Sequence, residues 1–239
     1  MSEQRPPRVR MRGIHKRFGD VLALKGVDFE ADRAEIHGLL GENGAGKTTI
    51  MNILSGLYQA DAGEIRIDGR EAPIRSPKDA IDFRIGMVHQ HVELIANFTA
   101  LENILLGREG SRWVLRVERQ QREVREMAER YGLSVPLGEK VKTLPVGIQQ
   151  KVEILKALYR GADTLILDEP TTMLTPQEVD GLFETLKELA QGGLTVIFIT
   201  HKIREVLANC ERITVFRGGV RVGTLGRAQA SYEALVQMV

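Results

Sequence analysis

Gly41-Glu-Asn-Gly-Ala-Gly46-Lys47-Thr48 follows the apolar run Ile36 to Leu40 and precedes a helix-like run, Thr49 to Leu57. A strand that feeds a glycine-rich turn and then a helix is the context in which this spacing binds phosphate. Glycines let successive backbone amides curl round phosphate oxygens, and the helix N-terminus adds positive potential there. Lys47 is expected to reach the β- and γ-phosphates, and Thr48 to ligate magnesium. A glycine-rich turn that binds nothing is the bland alternative, and the strand-turn-helix order argues against it.

Further branched-aliphatic runs, Ile85 to Val88, Thr164 to Leu167 and Thr195 to Thr200, read with Ile36 to Leu40 as strands buried on both faces. Most lead into helix-like segments, which implies crossovers and a largely parallel sheet covered by helices. Val27 to Glu30 and Glu64 to Asp68, the latter followed by Gly69, read as an antiparallel sheet, so the expected class is mixed α/β. From Thr99 to about Gly161 the chain carries no strong strand signal and reads as helical. Thr99 and Glu102 have capping-box spacing, and Thr175, Pro176 and Glu178 start another helix. The mixed charges from Arg119 to Arg130 read as a solvated helix surface.

The balance of 33 Lys+Arg against 32 Asp+Glu in 239 residues gives a net charge of +1, which argues against a polyanion-wrapping protein, and no nucleic-acid partner is expected. With 43% hydrophobic and 27% charged residues the chain has the composition of one soluble globular domain, residues 1–239. The single cysteine, Cys210, leaves no intramolecular disulfide or cysteine-based zinc cluster and favours the reducing cytoplasm. Met1 to Arg12 has no apolar secretion-signal core, and no apolar run approaches the roughly 18 residues of a membrane span. Membrane association is therefore expected through a partner or a surface contact. Arg5, Arg8, Arg10 and Arg12 read as a solvated arm, since no aromatic residues interleave with them. His89 and His91 flank Gln90, but with no third ligand indicated they are not read as a metal site.

A second chemical signal is Thr164-Leu-Ile-Leu-Asp168-Glu169-Pro170, an apolar strand ending in adjacent acids. Beside a phosphate site the two can divide the work: Asp168 holds magnesium, usually through water, and Glu169 polarises the attacking water. Together with the glycine loop they indicate a nucleoside triphosphatase.

Gln90 after the run Ile85 to Val88, Leu144-Pro-Val-Gly-Ile-Gln-Gln150 before the strand acids, and Thr200-His201 ending the next strand complete an ordered set. With these the chain resembles the ATP-binding subunit of ABC transporters, from about Val9 to Thr224. The resemblance implies a cassette with a mixed sheet core, an antiparallel β subdomain and a helical subdomain at about 99–161, binding ATP and Mg2+. It implies that Phe18 stacks on adenine and that the phosphate loop runs from Gly41 to Thr49, taking in Asn43, Gly44, Ala45, Gly46, Lys47, Thr48 and Thr49. Gln90 would sense the magnesium site and face the membrane subunit. Leu144, Pro145, Val146 and Gly147 would cap the γ-phosphate of a partner's nucleotide, with Glu169 as general base and His201 contacting the γ-phosphate. Gly86-Met-Val-His-Gln-His91, Val152-Glu-Ile-Leu-Lys-Ala-Leu-Tyr-Arg-Gly161 and Leu174-Thr-Pro-Gln-Glu178 look like the importers of simple sugars and nucleosides, whose ATPase usually carries two such domains in one chain.

Implied partners are a second ATPase domain, identical or the other half of a tandem chain, transmembrane permease subunits and an extracytoplasmic substrate-binding protein. The implied location is the cytoplasmic face of the membrane. Two departures stand out. Pro145 replaces the usual serine, removing a hydroxyl and an amide hydrogen. Thr175 stands where most of the family has aspartate, and is expected to serve chiefly as a helix cap. One rival reading is a soluble ABC ATPase of DNA repair or translation, disfavoured because no sustained heptad repeat lies between Thr99 and Gly161. The other, kept alive by Pro145, is a regulatory ATP-binding half with a degenerate composite site.

Overall fold

The computed structural model describes residues 6–90, 93–107 and 117–239, so the expectations on Arg5 and His91 lie outside the described residues. The chain begins with β1 (Val9–Phe18) and β2 (Val21–Ala31), then β3 (Ile36–Leu40) and α1 (Lys47–Leu54). A hairpin of β4 (Ala62–Ile67) and β5 (Arg70–Glu71) and the short α2 (Pro77–Asp82) lead to β6 (Ile85–Val88). Then come α3 (Ala100–Leu105), α4 (Val117–Arg130) and, after a 3-10 turn at Val141–Thr143, α5 (Val146–Tyr159). The chain alternates through β7 (Thr164–Asp168), α6 (Pro176–Gln191), β8 (Thr195–Thr200) and α7 (Ile203–Asn209), and ends with β9 (Arg212–Arg217), β10 (Val220–Gly226) and α8 (Tyr232–Met238).

Two sheets result. One is antiparallel, ordered β2-β1-β4-β5; the other is ordered β10-β9-β3-β8-β7-β6, parallel except for the β9-β10 hairpin. Side chains on β7 sort by parity: Leu165 and Leu167 pack with α3 to α6, while Ile166 packs with α1 and the antiparallel sheet. A strand covered on both sides has no position left for a polar residue, which explains its continuous apolar run.

The strands at Ile36, Ile85 and Thr195 have the expected bounds, and β7 extends one residue further, to Asp168. The helix after the glycine loop starts at Lys47 rather than Thr49, because Gly46 takes a left-handed φ of 101° and serves as N-cap. It stops at Leu54, before Gly56 at φ 77°. The antiparallel runs Val27 to Glu30 and Glu64 to Asp68 do not pair with each other: β1 lies between them. Asp68 leaves the strand, since Asp68 and Gly69 have φ of 53° and 78° and make the tight turn into β5. Both capping boxes form, with Glu102 accepting from the Thr99 amide at 2.7 Å and Glu178 from the Thr175 amide at 2.9 Å. On α4 Val124 and Ala128 are buried while Arg119 and Glu123 pair in solvent at 2.8 Å.

The expected solvated arm is corrected at Arg8 and Arg10, which lie in or beside β1 and are buried or half-buried, while Arg12 is exposed as expected. Arg8 is 4% exposed and ties together distant pieces of chain. Its guanidinium donates to the Thr164 hydroxyl at 2.8 Å, the Phe83 carbonyl at 2.7 Å and Asp68 at 2.5 Å, and also pairs with Asp163. Arg10 pairs across β1 and β2 with Glu30 at 2.7 Å. A planar cation with five donors satisfies two carboxylates and two neutral oxygens at once, as no solvated residue would need to. Arg8→Met should therefore cost about 2–4 kcal/mol of folding stability, because it removes the buried cation from between two part-buried acids and leaves them only the exposed Arg33 and Arg84. Urea unfolding checks this, and a loss below about 1 kcal/mol would refute it.

Candidate active site

The parallel register of β3, β8 and β7 sets the site: Leu40 lies level with Thr200, and Asp168 with Ile199. The glycine loop, His201 and the two acids therefore emerge side by side from the carboxyl ends of three adjacent strands. The glycine loop and the two acids border an open cleft of about 540 Å³, and His201 stands beside it against Glu169. The cleft wall holds Asn43, Gly44, Gly46, Lys47, Thr48, Thr49, Gln90, Asp168 and Glu169.

Gly41 and Ala45 lie beneath this wall and are buried. A Cβ at Gly41 would sit 2.3 Å from the Phe216 carbonyl oxygen, and one at Gly46 3.0 Å from that of Ala23, so any larger residue at either would push the loop off β9 or β2. Lys47, 5% exposed, donates to the carbonyls of Gly41 at 2.7 Å and Glu42 at 2.9 Å, closing the loop upon itself. Burial draws its ammonium below the ordinary lysine pKa, opposed by the charges of Glu169 and Asp168. Thr48 donates to Asp168 Oδ1 at 3.3 Å. Burial raises the Asp168 carboxyl and Glu169 adds to the rise, while Thr48, Lys47 and His89 oppose it.

Glu169 sits at a φ of 46°, a left-handed conformation that a non-glycine residue holds only under tertiary constraint. Its amide donates to the Ile199 carbonyl at 3.0 Å, and its carboxylate lies 3.0 Å from His201 Nδ1. A carboxylate only accepts, so Nδ1 carries the hydrogen and Nε2 remains available.

Other expected residues lie nearby rather than in the cleft wall. Phe18 pairs with Val21 at the β1-β2 turn, and Val21 lines the cleft; the ring is exposed, edge-on to Tyr58 at 5.2 Å. Leu144 is buried, Pro145 is the exposed N-cap of α5 and makes no side-chain cap, and Gly147 packs where a Cβ would meet Glu178 at 2.6 Å. Val146 joins Gln90 and Glu169 around a second, smaller cavity. Gly218 and Gly219, in the β9-β10 turn, were not anticipated, yet they complete the cleft: Gly219 donates to the Ala45 carbonyl at 3.2 Å and accepts from Lys25 at 2.9 Å.

The residues fit Mg-ATP. The curled loop has room for a backbone cradle only because Gly41 and Gly46 carry no Cβ, and the Thr48 hydroxyl beside the Asp168 carboxylate is a hard-oxygen donor set suited to magnesium.

Glu153 on α5 borders the second cavity and also a groove of about 220 Å³ that reaches His89. It accepts from the Glu93 amide at 2.7 Å, while its other oxygen is buried without a partner. Burial lifts its carboxyl to about 7; the Glu93 amide and Lys156 oppose the rise and the Glu93 charge adds to it. Stability from this group is complete below the unfolded value of 4.5 and lost as pH rises through about 7. Glu153→Gln keeps the acceptor and stays neutral, so it should flatten that decline and gain roughly 2 kcal/mol at pH 8 relative to the parent chain. Denaturant midpoints at three pH values test this, and parallel profiles for the two proteins would contradict it.

The family described as ABC transporter matches residues 24–172, which take in the loop, Gln90, Leu144 to Gly147 and both acids. The chain is 45% identical over 264 aligned residues to a glucose import ATP-binding protein of Haloferax volcanii, covering 98% of this chain and 48% of that protein. To a nucleoside import ATP-binding protein of Lactococcus lactis it is 45% identical over 232 residues, covering 97% and 46%. The chain thus spans about half the length of these curated relatives. A dimeric ATP-binding cassette solved in a post-hydrolysis state with ADP and Pi superposes at a TM-score of 0.78 with 27% identity, covering 92% of this chain and 98% of that one. With its glycine loop and strand acids inside a match spanning more than half its length, this chain belongs to the ABC transporter family.

Proposed function

We propose that this chain, residues 1–239 with a helical subdomain at about 99–161, is the ATP-binding and hydrolysing cassette of an importer for simple sugars or nucleosides. It pairs with a second cassette, drives transmembrane permease subunits from the cytoplasmic face of the membrane, and serves a system with an extracytoplasmic substrate-binding protein. The observation that carries the reading is the convergence of Lys47, Thr48, Asp168, Glu169 and His201 on one cleft or its edge. The import ATP-binding proteins it resembles support the substrate class. Among the described residues no helix is long and apolar enough to cross a membrane, in keeping with transport through partner subunits.

In this mechanism the loop amides from Asn43 to Thr49 and the Lys47 ammonium hold the β- and γ-phosphates. Thr48 and Asp168, with Gln90 in the cleft wall, would hold magnesium, which would supply neutralisation of the phosphate charge. Water attacks the γ-phosphorus as Glu169 takes its proton, and the bond to the bridging oxygen breaks to release ADP. His201, oriented through Nδ1 by Glu169, offers Nε2 to the γ-phosphate. Phe18 stacks on adenine, and Leu144, Pro145, Val146 and Gly147 face the nucleotide of the partner cassette. ATP joins the two cassettes and hydrolysis separates them, with the Gln90 region carrying the motion to the permease.

Pro145 favours a second reading, a regulatory half with a weak composite site, because the α5 cap lacks both hydroxyl and amide hydrogen. Glu169→Gln separates the two. In an enzyme it should lower ATP turnover by about 10²-fold or more and trap an ATP-dependent dimer visible by light scattering. Equal rates in parent and variant would leave only the regulatory reading. Pro145→Ser should raise the ATPase rate of the assembled transporter roughly ten- to a hundredfold by restoring a charge-assisted hydrogen bond. An unchanged rate would show that the missing donors are not limiting.

A further inference from the structure

The loop bearing Glu169 and the loop bearing His201 are joined a second time, away from the cleft. Thr171 lies two residues beyond Glu169, and Thr200 one residue before His201; both are buried, at 2% and 1% exposure. Their hydroxyls converge on a single carboxylate oxygen of Glu205, in the first turn of α7: Thr171 donates at 2.9 Å and Thr200 at 3.3 Å. Lys202 pairs with the other Glu205 oxygen at 3.0 Å, and its ammonium also reaches the Thr171 hydroxyl at 3.0 Å. The Lys202 amide donates to the Thr200 hydroxyl at 3.0 Å, closing the ring.

We infer that Glu205 is a positioning residue for hydrolysis: by clasping Thr171 and Thr200 it holds Glu169 against His201. This rests on the reading of Glu169 and His201 as the reacting pair. A side chain serving only to fill space would not need a charge here. Two buried hydroxyls, one in the acid loop and one at the end of β8, need one acceptor with several lone pairs, which a carboxylate has and an aliphatic residue lacks. Glu169 in turn needs an external hold, because its φ of 46° is not a conformation the residue keeps unaided. Its own amide bonds to Ile199, the carbonyl of the next residue, Pro170, accepts from Gln150 at 2.9 Å, and the Glu205 clasp holds the chain two residues on. The chain between them has little freedom, so the carboxylate stays 3.0 Å from Nδ1.

The test uses Glu205→Ala and Glu205→Gln, with melting curves establishing that both fold. In the nucleotide-free full chain, 15N NMR at about pH 8 reports the His201 tautomer. His201→Ala assigns the signal. The parent should show Nδ1–H, Glu205→Ala should shift His201 toward Nε2–H, and Glu205→Gln, whose amide oxygen still accepts both hydroxyls, should restore Nδ1–H. In the chain assembled with its transport partners, Glu205→Ala should lower kcat about tenfold or more with KM for ATP within about twofold, and Glu205→Gln should recover most of the loss. An unchanged tautomer in Glu205→Ala overturns the proposal, as does a Gln variant no better than Ala. A parent that hydrolyses no ATP would refute the reading of the site while the tautomer measurement still decides the clasp.

Discussion

The backbone hydrogen bonds that hold β3, β8 and β7 in parallel register are the constraint on which the site depends. Parallel ladders are evenly spaced, so a shift of one residue in any strand would move its terminal side chain by about 3.3 Å and turn it to the opposite face. In the observed register Leu40, Thr200 and Asp168 end nearly level, and the next residues of each strand enter the cleft region together. The register is held by packing on both sides. Ile166, Ile197 and Ile199 face one core, while Leu165, Leu167 and Phe198 face the other, so a one-residue slip would exchange side chains between two close-packed cores of different shape.

On that base each loop has a different restraint. The glycine loop is shaped by what it lacks: side chains at Gly41 and Gly46 would collide with carbonyls of β9 and β2. The acid loop is shaped by strain, with Glu169 in a left-handed conformation and anchored through its amide to β8. His201 is placed by the strand it follows and by its contact with Glu169. The three meet because the antiparallel sheet and the helices clamp the parallel sheet from opposite faces, and Arg8 fastens the first strand to the chain around β6 and β7.

Buried polar groups in this fold fall into satisfied and unsatisfied kinds. Arg8 and Glu205 have partners for most of their donors or acceptors and join segments far apart in sequence. Glu153 has one oxygen bonded and one without a partner, and its carboxyl is pushed up to about 7 by burial. The first kind adds specificity at little cost. The second leaves a group whose charge is unfavourable where it stands, beside the passage from Gln90 to α5.

Much of this protein was legible in the sequence because its signals are local. A strand followed by Gly41 to Thr48, a strand ending in Asp168-Glu169, and threonines three residues before glutamates each carry their physics within a few residues, and the corresponding strands, loop and caps have the expected positions. β1 escaped because Gly13, at φ 58°, and the register shifts around it break the alternation that marks a strand. Arg8 read as solvated because the acids it pairs with lie 60 and 155 positions away. Gly218 and Gly219 belong to no motif in the sequence, since only folding brings that turn against Ala45. The amino-acid order by itself marked the candidate site residues and the parallel strands β3, β6, β7 and β8, because those follow from short-range spacing and backbone preference. Tertiary structure alone decided that Glu169 is strained, that Glu205 reaches two loops, and that an arginine near the start of the chain is core, because each depends on a partner that no local pattern encodes.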